Sequence, residues 1–146
     1  MKVNLFVSRD IEEPYADIHT DELTDSVTKA ISILESDDSN EMLAVKNGSD
    51  IALLEFDDVF MFRVEDKQVK VYTENSDYLI KKPLYQVEET LNNDFVRISK
   101  TTIVNMRKIE RVAPSLKGMM FIQLKNGLKD NISRKYLPGF KDALDL

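Results

Sequence analysis

The sequence contains no cysteine and only one histidine among its 146 residues. Without cysteine, the chain can form neither a disulfide nor a thiolate zinc site, and it cannot use a cysteine nucleophile. The single histidine, His19, lies in an acidic segment and is interpreted as a partly exposed turn residue. These absences exclude most of the side-chain sets on which hydrolases and metal centres depend.

Glycine is also scarce, and the sequence lacks the motifs G-x-G-x-x-G, G-x-x-x-x-G-K-[ST] and G-x-S-x-G. It therefore has no glycine-rich phosphate loop and no nucleophile elbow. The adjacent acids Asp37-Asp38 and Asp57-Asp58 lie where turns are expected, and neighbours along a chain point apart. The stretch "ESDDSNE" lacks the residue spacing of a calcium loop. We predict no enzymatic activity, no cofactor, no small-molecule substrate and no bound metal.

Long apolar runs are missing as well. None approaches the roughly 20 residues that a membrane helix requires. The start, "MKVNLFVSRDIEEP", reaches charged residues too early for a secretory signal. We therefore expect a soluble, cytoplasmic protein, large enough to bury a real core.

Charge is distributed unevenly along the chain, whose net formal charge is -6. Residues 1 to 60 hold 15 acidic and 4 basic side chains, whereas residues 61 to 146 hold 11 acidic and 16 basic ones. Such asymmetry is a hint that the basic part has an anionic partner, such as a nucleic acid. The alternative is that the extra lysines form only a solvated face.

The first part of the chain predicts a small acidic βα unit. The run "KVNLFV" is typical of a strand. Thr20 is a candidate N-cap, with Asp21 and Glu22 in the first helical turn. An apolar stripe at helical spacing follows, made of Leu23, Val27, Ala30, Ile31 and Leu34. We place a boundary in the acidic loop, so that residues 1–41 form an extension in front of residues 42–146.

Apolar residues then alternate with a period of two, which predicts a series of antiparallel strands. Hairpins are expected at Asn47-Gly48 and Asn126-Gly127, and turns near Asp66-Lys67 and Asn75-Ser76. In "QVKVYT", Val69 and Val71 should face the core, and Gln68, Lys70 and Tyr72 the opposite side. Short helices are predicted at "PLYQVEETL" and at the C-terminus. The expected fold is mainly β, or α+β overall, with the βα extension in front.

The segment "FVRISKTTIVNMRKIE", residues 95 to 110, is basic and rich in hydroxyls. Alternation buries either Val96 and Ile98 or Phe95 and Arg97, and the first choice requires a second layer to cover Phe95. Both choices leave "SKTT" polar, which suits contact with phosphate and base edges but is equally common in solvated turns. Asn105 is predicted to cap the turn through its side chain rather than to contact a ligand.

The stretch "NISRKYLPGF" places two cations side by side near the C-terminus. If Ser133 is an N-cap, Arg134 and Lys135 lie in the first turn of a helix, where the helix dipole disfavours positive charge. A phosphate or a guanine edge would offset that cost. Alternatively, both side chains extend into water and the small cost is tolerated. Pro138-Gly139 limits the regularity of this helix, so a single turn followed by a second short helix is equally expected.

Taken in order, the series F-x-R-I…I-V-N…N-G…S-R-x-Y resembles the LytTR family of bacterial DNA-binding domains, over about residues 45 to 144. The resemblance implies stacked antiparallel sheets that bind duplex DNA. Loop side chains would enter successive major grooves from one side and bend the DNA. The residues before this region are too few to contain the receiver domain of many response regulators, so the chain looks like a stand-alone member.

By position, the resemblance assigns DNA contacts to three loops. Their residues are Lys67 and Gln68, then Ser99, Lys100 and Thr101, and finally Arg134 and Lys135. The chemistry fits, because arginine pairs bidentately with guanine and glutamine reads adenine. Many members carry His, Arg and Ser at the three positions of the middle loop, so a different base preference is expected there.

The resemblance also implies partners. We expect a transcriptional regulator that binds promoter direct repeats as a homodimer, with a membrane protein as its regulator. The acidic extension would serve dimerisation or partner binding. The alternative is a protein-interaction module that has kept the fold but acts through its acidic N-terminal half, because a net negative charge repels DNA at long range.

Overall fold

The structure, a computed structural model, describes residues 1–35 and 42–146. The chain forms two compact units, Met1–Asp38 and Ser39–Leu146. The acidic segment 36–41 lies outside the described residues. The predictions that Asp37-Asp38 lies in a turn and that this segment is not a calcium loop therefore fall outside them as well.

The N-terminal unit contains one helix, α1 (Asp25–Glu35). It begins later than predicted because Thr24, not Thr20, supplies the cap: the Val27 amide donates to Thr24 Oγ1 at 3.3 Å. The Thr20 hydroxyl instead accepts from the Glu22 amide at 3.3 Å, within a separate short turn. A side-chain acceptor three residues ahead of a free amide is the usual helix start.

The predicted strand "KVNLFV" was wrong. Residues 2–7 form no strand, and the side chains of Leu5 and Val7 are 85% and 88% exposed. A strand is stable only when its backbone groups pair with another strand, and the described part of this unit offers none. The described part of the extension therefore contains a helix and lacks the strand that the apolar run indicated.

The described residues of the C-terminal unit, 42–146, form ten strands in two antiparallel sheets, which confirms the mainly β fold. The seven-stranded sheet has the order β2-β1-β5-β4-β3-β7-β6, and the three-stranded sheet has the order β10-β9-β8. Helix α2 (Leu84–Thr90) follows β5, and α3 (Leu137–Ala143) follows β10. The strands are β1 (Met42–Asn47), β2 (Asp50–Glu55), β3 (Met61–Glu65), β4 (Gln68–Tyr72), β5 (Asp77–Ile80), β6 (Phe95–Arg97), β7 (Thr102–Asn105), β8 (Ile109–Pro114), β9 (Met120–Leu124) and β10 (Lys129–Ile132).

The predicted hairpins are present. Asn47 pairs with Asp50, so that Gly48 and Ser49 form the two-residue turn of the first hairpin. Gly48 has a φ of +64°, in the left-handed region that glycine adopts without steric cost. In the last hairpin, the Leu128 amide donates to Asn126 Oδ1 at 3.1 Å. Local turn chemistry therefore sets the register of both hairpins.

Two hydrophobic cores lie on opposite faces of the long sheet. Neighbouring residues of β3 divide between them: Phe62 lies in the first core and Met61 in the second. Val69 and Val71 belong to the first core, as predicted. The second core also holds Ile122 of the short sheet and Phe140 of α3, so it joins the two sheets and the C-terminal helix.

Neighbouring residues of β6 also divide between the two cores. Val96 and Ile98 pack into the second core, whereas Phe95 packs against the first. The Phe95 ring centroid lies 5.7 Å from that of Phe62. Phe95 is therefore covered by the second layer that the sequence required, and Arg97 is left at the strand end. Among the described residues, no helix combines the length and apolar character needed to cross a membrane.

Candidate nucleic-acid interface

Three connections of the C-terminal unit meet at one edge of the long sheet: residues 66–67, 99–101 and 133–136. Strands β3 and β7 are antiparallel neighbours with Arg63 opposite Thr102, so β3 ends where β7 begins. The Val64 amide donates to the Thr101 carbonyl at 2.8 Å, and the Ser133 amide donates to the Ile98 carbonyl at 2.9 Å. Backbone hydrogen bonds thus hold together the three segments that carry the predicted DNA contacts.

The turn between β3 and β4 has two residues, Asp66 and Lys67, with φ of 51° and 64°. Both lie in the left-handed region, which suits a tight hairpin but is unfavourable for residues with a side chain. The pairing of Glu65 with Gln68 closes the turn. Lys67 and Gln68 are both exposed there, at the tip of the hairpin.

An ionic cluster centred on Glu65 stiffens this hairpin. The carboxylate accepts from Arg63 Nε at 3.0 Å and from the Tyr72 hydroxyl at 2.8 Å, and it lies 3.4 Å from Lys70 Nζ. The pKa of Glu65 is lowered, chiefly because Tyr72 donates to it, with further lowering by Lys70 and Arg63. Glu65 is therefore ionised at neutral pH and neutralises cations on its own hairpin.

Arg97 shapes the loop between β6 and β7. Its guanidinium donates to the Ser99 carbonyl at 3.0 Å and to the Lys100 carbonyl at 2.6 Å, and it pairs with Glu88 of α2 at 2.8 Å. It also lies 5.9 Å from the ring centre of Tyr136. Arg97 is thus occupied by loop carbonyls and a carboxylate, so its role is to position the loop.

The hydroxyls of this loop bond mainly to the loop itself. Ser99 Oγ accepts from the Thr101 amide at 3.2 Å and lies 3.2 Å from Thr101 Oγ1. Behind them, the Thr102 hydroxyl donates to Asp130 at 2.8 Å. Lys100 is exposed at the tip. Among the predicted contacts of this loop, Lys100 is the side chain that extends into solvent with its charge available.

The turn before α3 differs from the prediction. Ser133 is not the N-cap: α3 begins at Leu137 after Tyr136, and the buried Ser133 Oγ has no hydrogen-bond partner among the described residues. The Ser133 carbonyl instead accepts from the Tyr136 and Leu137 amides at 3.1 and 3.0 Å. Pro138 explains the later start, because proline suits the first positions of a helix and disrupts interior ones.

Arg134 and Lys135 consequently lie outside the helix, and the expected dipole penalty does not apply to them. The Arg134 guanidinium donates to the carbonyl of Lys117, which lies in the turn between β8 and β9. The Lys135 ammonium lies 5.6 Å from the ring centre of Tyr136. Both side chains are exposed, on the same turn that bonds to the loop at Ile98.

The cations at this edge differ in how their charge is balanced. Arg63, Lys70 and Arg97 each form an ion pair with a carboxylate. Within residues 1–35 and 42–146, no ion pair is formed by Lys67, Lys100, Arg134 or Lys135. Four of the seven sequence-predicted contacts are therefore cations of the three loops that have no carboxylate partner among the described residues.

Asn105 has the structural role predicted for it. Its side chain is 1% exposed; Oδ1 accepts from the Arg107 amide at 3.0 Å, and Nδ2 donates to the Val59 carbonyl at 2.9 Å. It joins the end of β7 to the segment before β3. Both side-chain polar atoms are used within the protein.

Sequence reasoning missed two features of the interface. The partners of Arg97 come from α2, its own loop and the turn before α3, so no local pattern could reveal its role. Lys46, Lys81 and Lys82 also lie near the β3–β4 turn, where they line a pocket with Lys67. The adjacent lysines after β5 could have been placed there from the predicted order of hairpins.

Comparison with known proteins is consistent with this geometry. A family model described as the LytTr DNA-binding domain matches residues 49–145. Two proteins of Staphylococcus aureus, from strains NCTC 8325 and COL, are each 33% identical over 146 residues, which cover 100% of this chain and 99% of theirs. Both are named as uncharacterized HTH-type transcriptional regulators.

A solved structure shares the fold. It is the LytTr DNA-binding domain of a Bacillus cereus protein described as a methyl-accepting/DNA response regulator. The TM-score is 0.69 at 22% identity, over 73% of this chain and 98% of that one. A helix-turn-helix needs two successive helices joined by a short turn, and the described residues contain no such pair. The exposed cations Lys67, Lys100, Arg134 and Lys135 lie on the three loops, outside the helices.

Proposed function

Because the chain belongs to the LytTR family of DNA-binding domains, we propose that it is a sequence-specific transcriptional regulator that binds duplex DNA through the three loops. The family is one of DNA-binding domains, not of enzymes. Two observations support the loops as the DNA-binding elements. They carry exposed cations that form no ion pair among the described residues, and they meet at one edge of the long sheet. The side chains of these loops would enter successive major grooves of the DNA from one side.

The proposed roles follow from the chemistry of each side chain. Arg134 would pair bidentately with guanine O6 and N7, and Gln68 would read adenine. Lys67, Lys100 and Lys135 would contact phosphate or guanine as point charges. Ser99 and Thr101 shape the loop through their mutual hydrogen bonds, so we assign them weaker base contacts than Lys100.

We expect DNA affinity to fall with salt, with a log–log slope of roughly -3 to -5 per protomer if about four to five phosphates are neutralised. Fluorescence anisotropy against promoter fragments at several salt concentrations measures this slope. A scrambled duplex of equal length is the control, and it should bind more weakly with a similar slope. Absence of binding to any duplex at low salt would contradict the proposal.

The proposed assembly is a homodimer on direct repeats, regulated by a membrane protein. A dimer would place two copies of the three loops on one face of the DNA. The extension would mediate dimerisation or bind the regulator. Its exposed apolar residues support an interaction role, since contiguous exposed apolar surface usually has a partner; they include Val3, Leu5, Phe6 and Val7.

Those exposed residues also favour the second candidate function, a protein-interaction module that acts through its acidic N-terminal half. Affinity capture with and without nuclease distinguishes the two. For the regulator, we expect nuclease to release most bound partners, because DNA connects them. For the module, partners stay bound after nuclease and are lost when Leu5 and Phe6 are both replaced by serine. Lys2→Ser in the same segment is a control that leaves the apolar surface intact.

A further inference from the structure

Four lysines surround a pocket next to the β3–β4 turn: Lys46, Lys67, Lys81 and Lys82. The cavity has a volume of about 490 Å³, and among the described residues neither aspartate nor glutamate lines it. Gln68 and a set of apolar side chains form the remainder of its wall, including Val64, Leu79 and Pro83. All four lysines are exposed. A concave site lined by four lysines and by mostly apolar side chains is a candidate site for an anion.

The positive charge in this pocket is uncompensated. In the described part of the chain, none of the four lysines forms an ion pair with a carboxylate. Lys46 and Lys81 are close enough that the pKa of Lys46 is lowered, first through their side-chain interaction and then by charge repulsion. The Lys46 and Lys81 ammonium groups therefore repel each other, and a bound anion would reduce that repulsion. These four lysines form a basic cluster in a chain whose net charge is -6.

Sheet topology puts the pocket beside the three loops. Strand β5 pairs with β4 so that Val69 lies opposite Ile80, which places Lys81 next to Gln68. Strand β1 pairs with β5 at Lys46 and Leu79. Along the edge, residues 81–82 therefore precede the turn 66–67, and the loop 99–101 follows it. With strands about 4.8 Å apart, this row extends roughly 14 Å from β5 to β7.

We infer that the four-lysine pocket binds backbone phosphates of the DNA, next to the base that Gln68 would read. This inference rests on the proposed function. Lysine stems lie along apolar surface while their ammonium groups reach phosphate oxygens. Such contacts fix the position of the protein on the duplex and carry no sequence information. The pocket extends the DNA footprint by one strand beyond the three loops.

The test compares Lys81→Gln and Lys82→Gln with Lys125→Gln, a variant with the same charge change. Lys125 is exposed and precedes Asn126, whose side chain donates to the Thr73 carbonyl at 3.1 Å. Thr73 follows the end of β4 opposite to Gln68, so Lys125 lies away from the pocket. Thermal melting of each variant verifies that it is folded.

For each pocket variant, we expect the log–log salt slope to become shallower by about 0.9 and the affinity at about 0.1 M salt to fall about eightfold. The loss of affinity should be equal on the promoter duplex and on a scrambled duplex, because contacts to phosphates do not depend on the base sequence. Lys125→Gln should retain the wild-type slope. Anisotropy titrations over a range of salt concentrations measure all three variants.

Specific binding by the wild type, with an unchanged slope in both pocket variants, overturns the inference and leaves the proposed function intact. Failure of the wild type to bind any duplex overturns both. A second arm titrates the DNA-free protein with inorganic phosphate and follows the backbone amide resonances of Lys81 and Lys82. Saturable shifts together with an unchanged DNA slope would assign the pocket to a free phosphorylated ligand, and would also overturn the inference.

Discussion

Replacing Asn105 by alanine is expected to lower the free energy of unfolding by about 2 to 4 kcal/mol, without a specific effect on base preference. The side chain satisfies two backbone groups, the Val59 carbonyl and the Arg107 amide. Alanine would leave both groups without their partner, and a buried polar group without a hydrogen bond costs about 1 to 3 kcal/mol. The cavity left by the amide adds to this loss.

Thermal unfolding measures the effect, which corresponds to a fall in Tm on the order of 10 °C for a domain of this size. Asn131→Ala is the matched control, because Asn131 is exposed on β10, and a change of less than about 0.5 kcal/mol is expected there. Asn105→Asp keeps the acceptor but points a carboxylate at the Val59 carbonyl, so it should be at least as destabilising. If Asn105→Ala retained full stability but lost DNA binding, Asn105 would be a ligand contact instead.

The sequence was most informative where structure is local. Alternating apolar residues predicted Val69 and Val71 in the core, and both lie in the first core. Asn-Gly pairs predicted two hairpins, since left-handed backbone conformations are readily adopted by those residues. Asn105 could be assigned to a turn because an asparagine side chain bonds to amides two residues away. In each case the determining contacts lie within a few residues.

Prediction failed where the deciding contacts are distant in sequence. The run "KVNLFV" is apolar like a strand, but a short apolar run does not show whether a pairing strand exists. Thr20 and Ser133 both had the side chain of an N-cap, yet the actual helix starts depended on Thr24 and Pro138. The role of Arg97 needed Glu88 and Tyr136, which are distant in sequence and meet it only in the folded sheet.

In the candidate site as well, the contacts that determine the geometry join segments that are distant in sequence. The resemblance placed its contacts on three loops, and the hydrogen bonds from Val64 to Thr101 and from Ser133 to Ile98 explain why these loops meet. Neither bond is visible in the sequence, because each joins segments that are far apart along the chain. The lysines at 81 and 82 differ in this respect: no local motif marks them, but β4 and β5 form a predicted hairpin, and the order of hairpins could have placed them beside Gln68.

Arg134→Ala is expected to reduce discrimination at one base pair by about 1 to 3 kcal/mol, which is roughly 5- to 150-fold. In the free protein, the guanidinium donates to the Lys117 carbonyl, and it has further N–H groups in a planar fork. Guanine O6 and N7 would accept from that fork bidentately. The hydrogen bond to Lys117 would therefore restrain the Arg134 guanidinium before DNA arrives, which lowers the conformational entropy that this side chain loses on binding.

Selection of bound sequences from a random duplex pool, repeated with the wild type and each variant, measures the effect. Arg134→Ala should accept all four bases at one position and keep its preferences elsewhere. Arg134→Lys should behave like the alanine variant for base preference, because an ammonium lacks the fork, while it retains the salt slope. Lys135→Ala is the control on the same turn: it should weaken binding about equally on every sequence and make the slope shallower by about 1. An equal loss on all sequences for Arg134→Ala would show that this arginine contacts phosphate, and that bases are read by another loop.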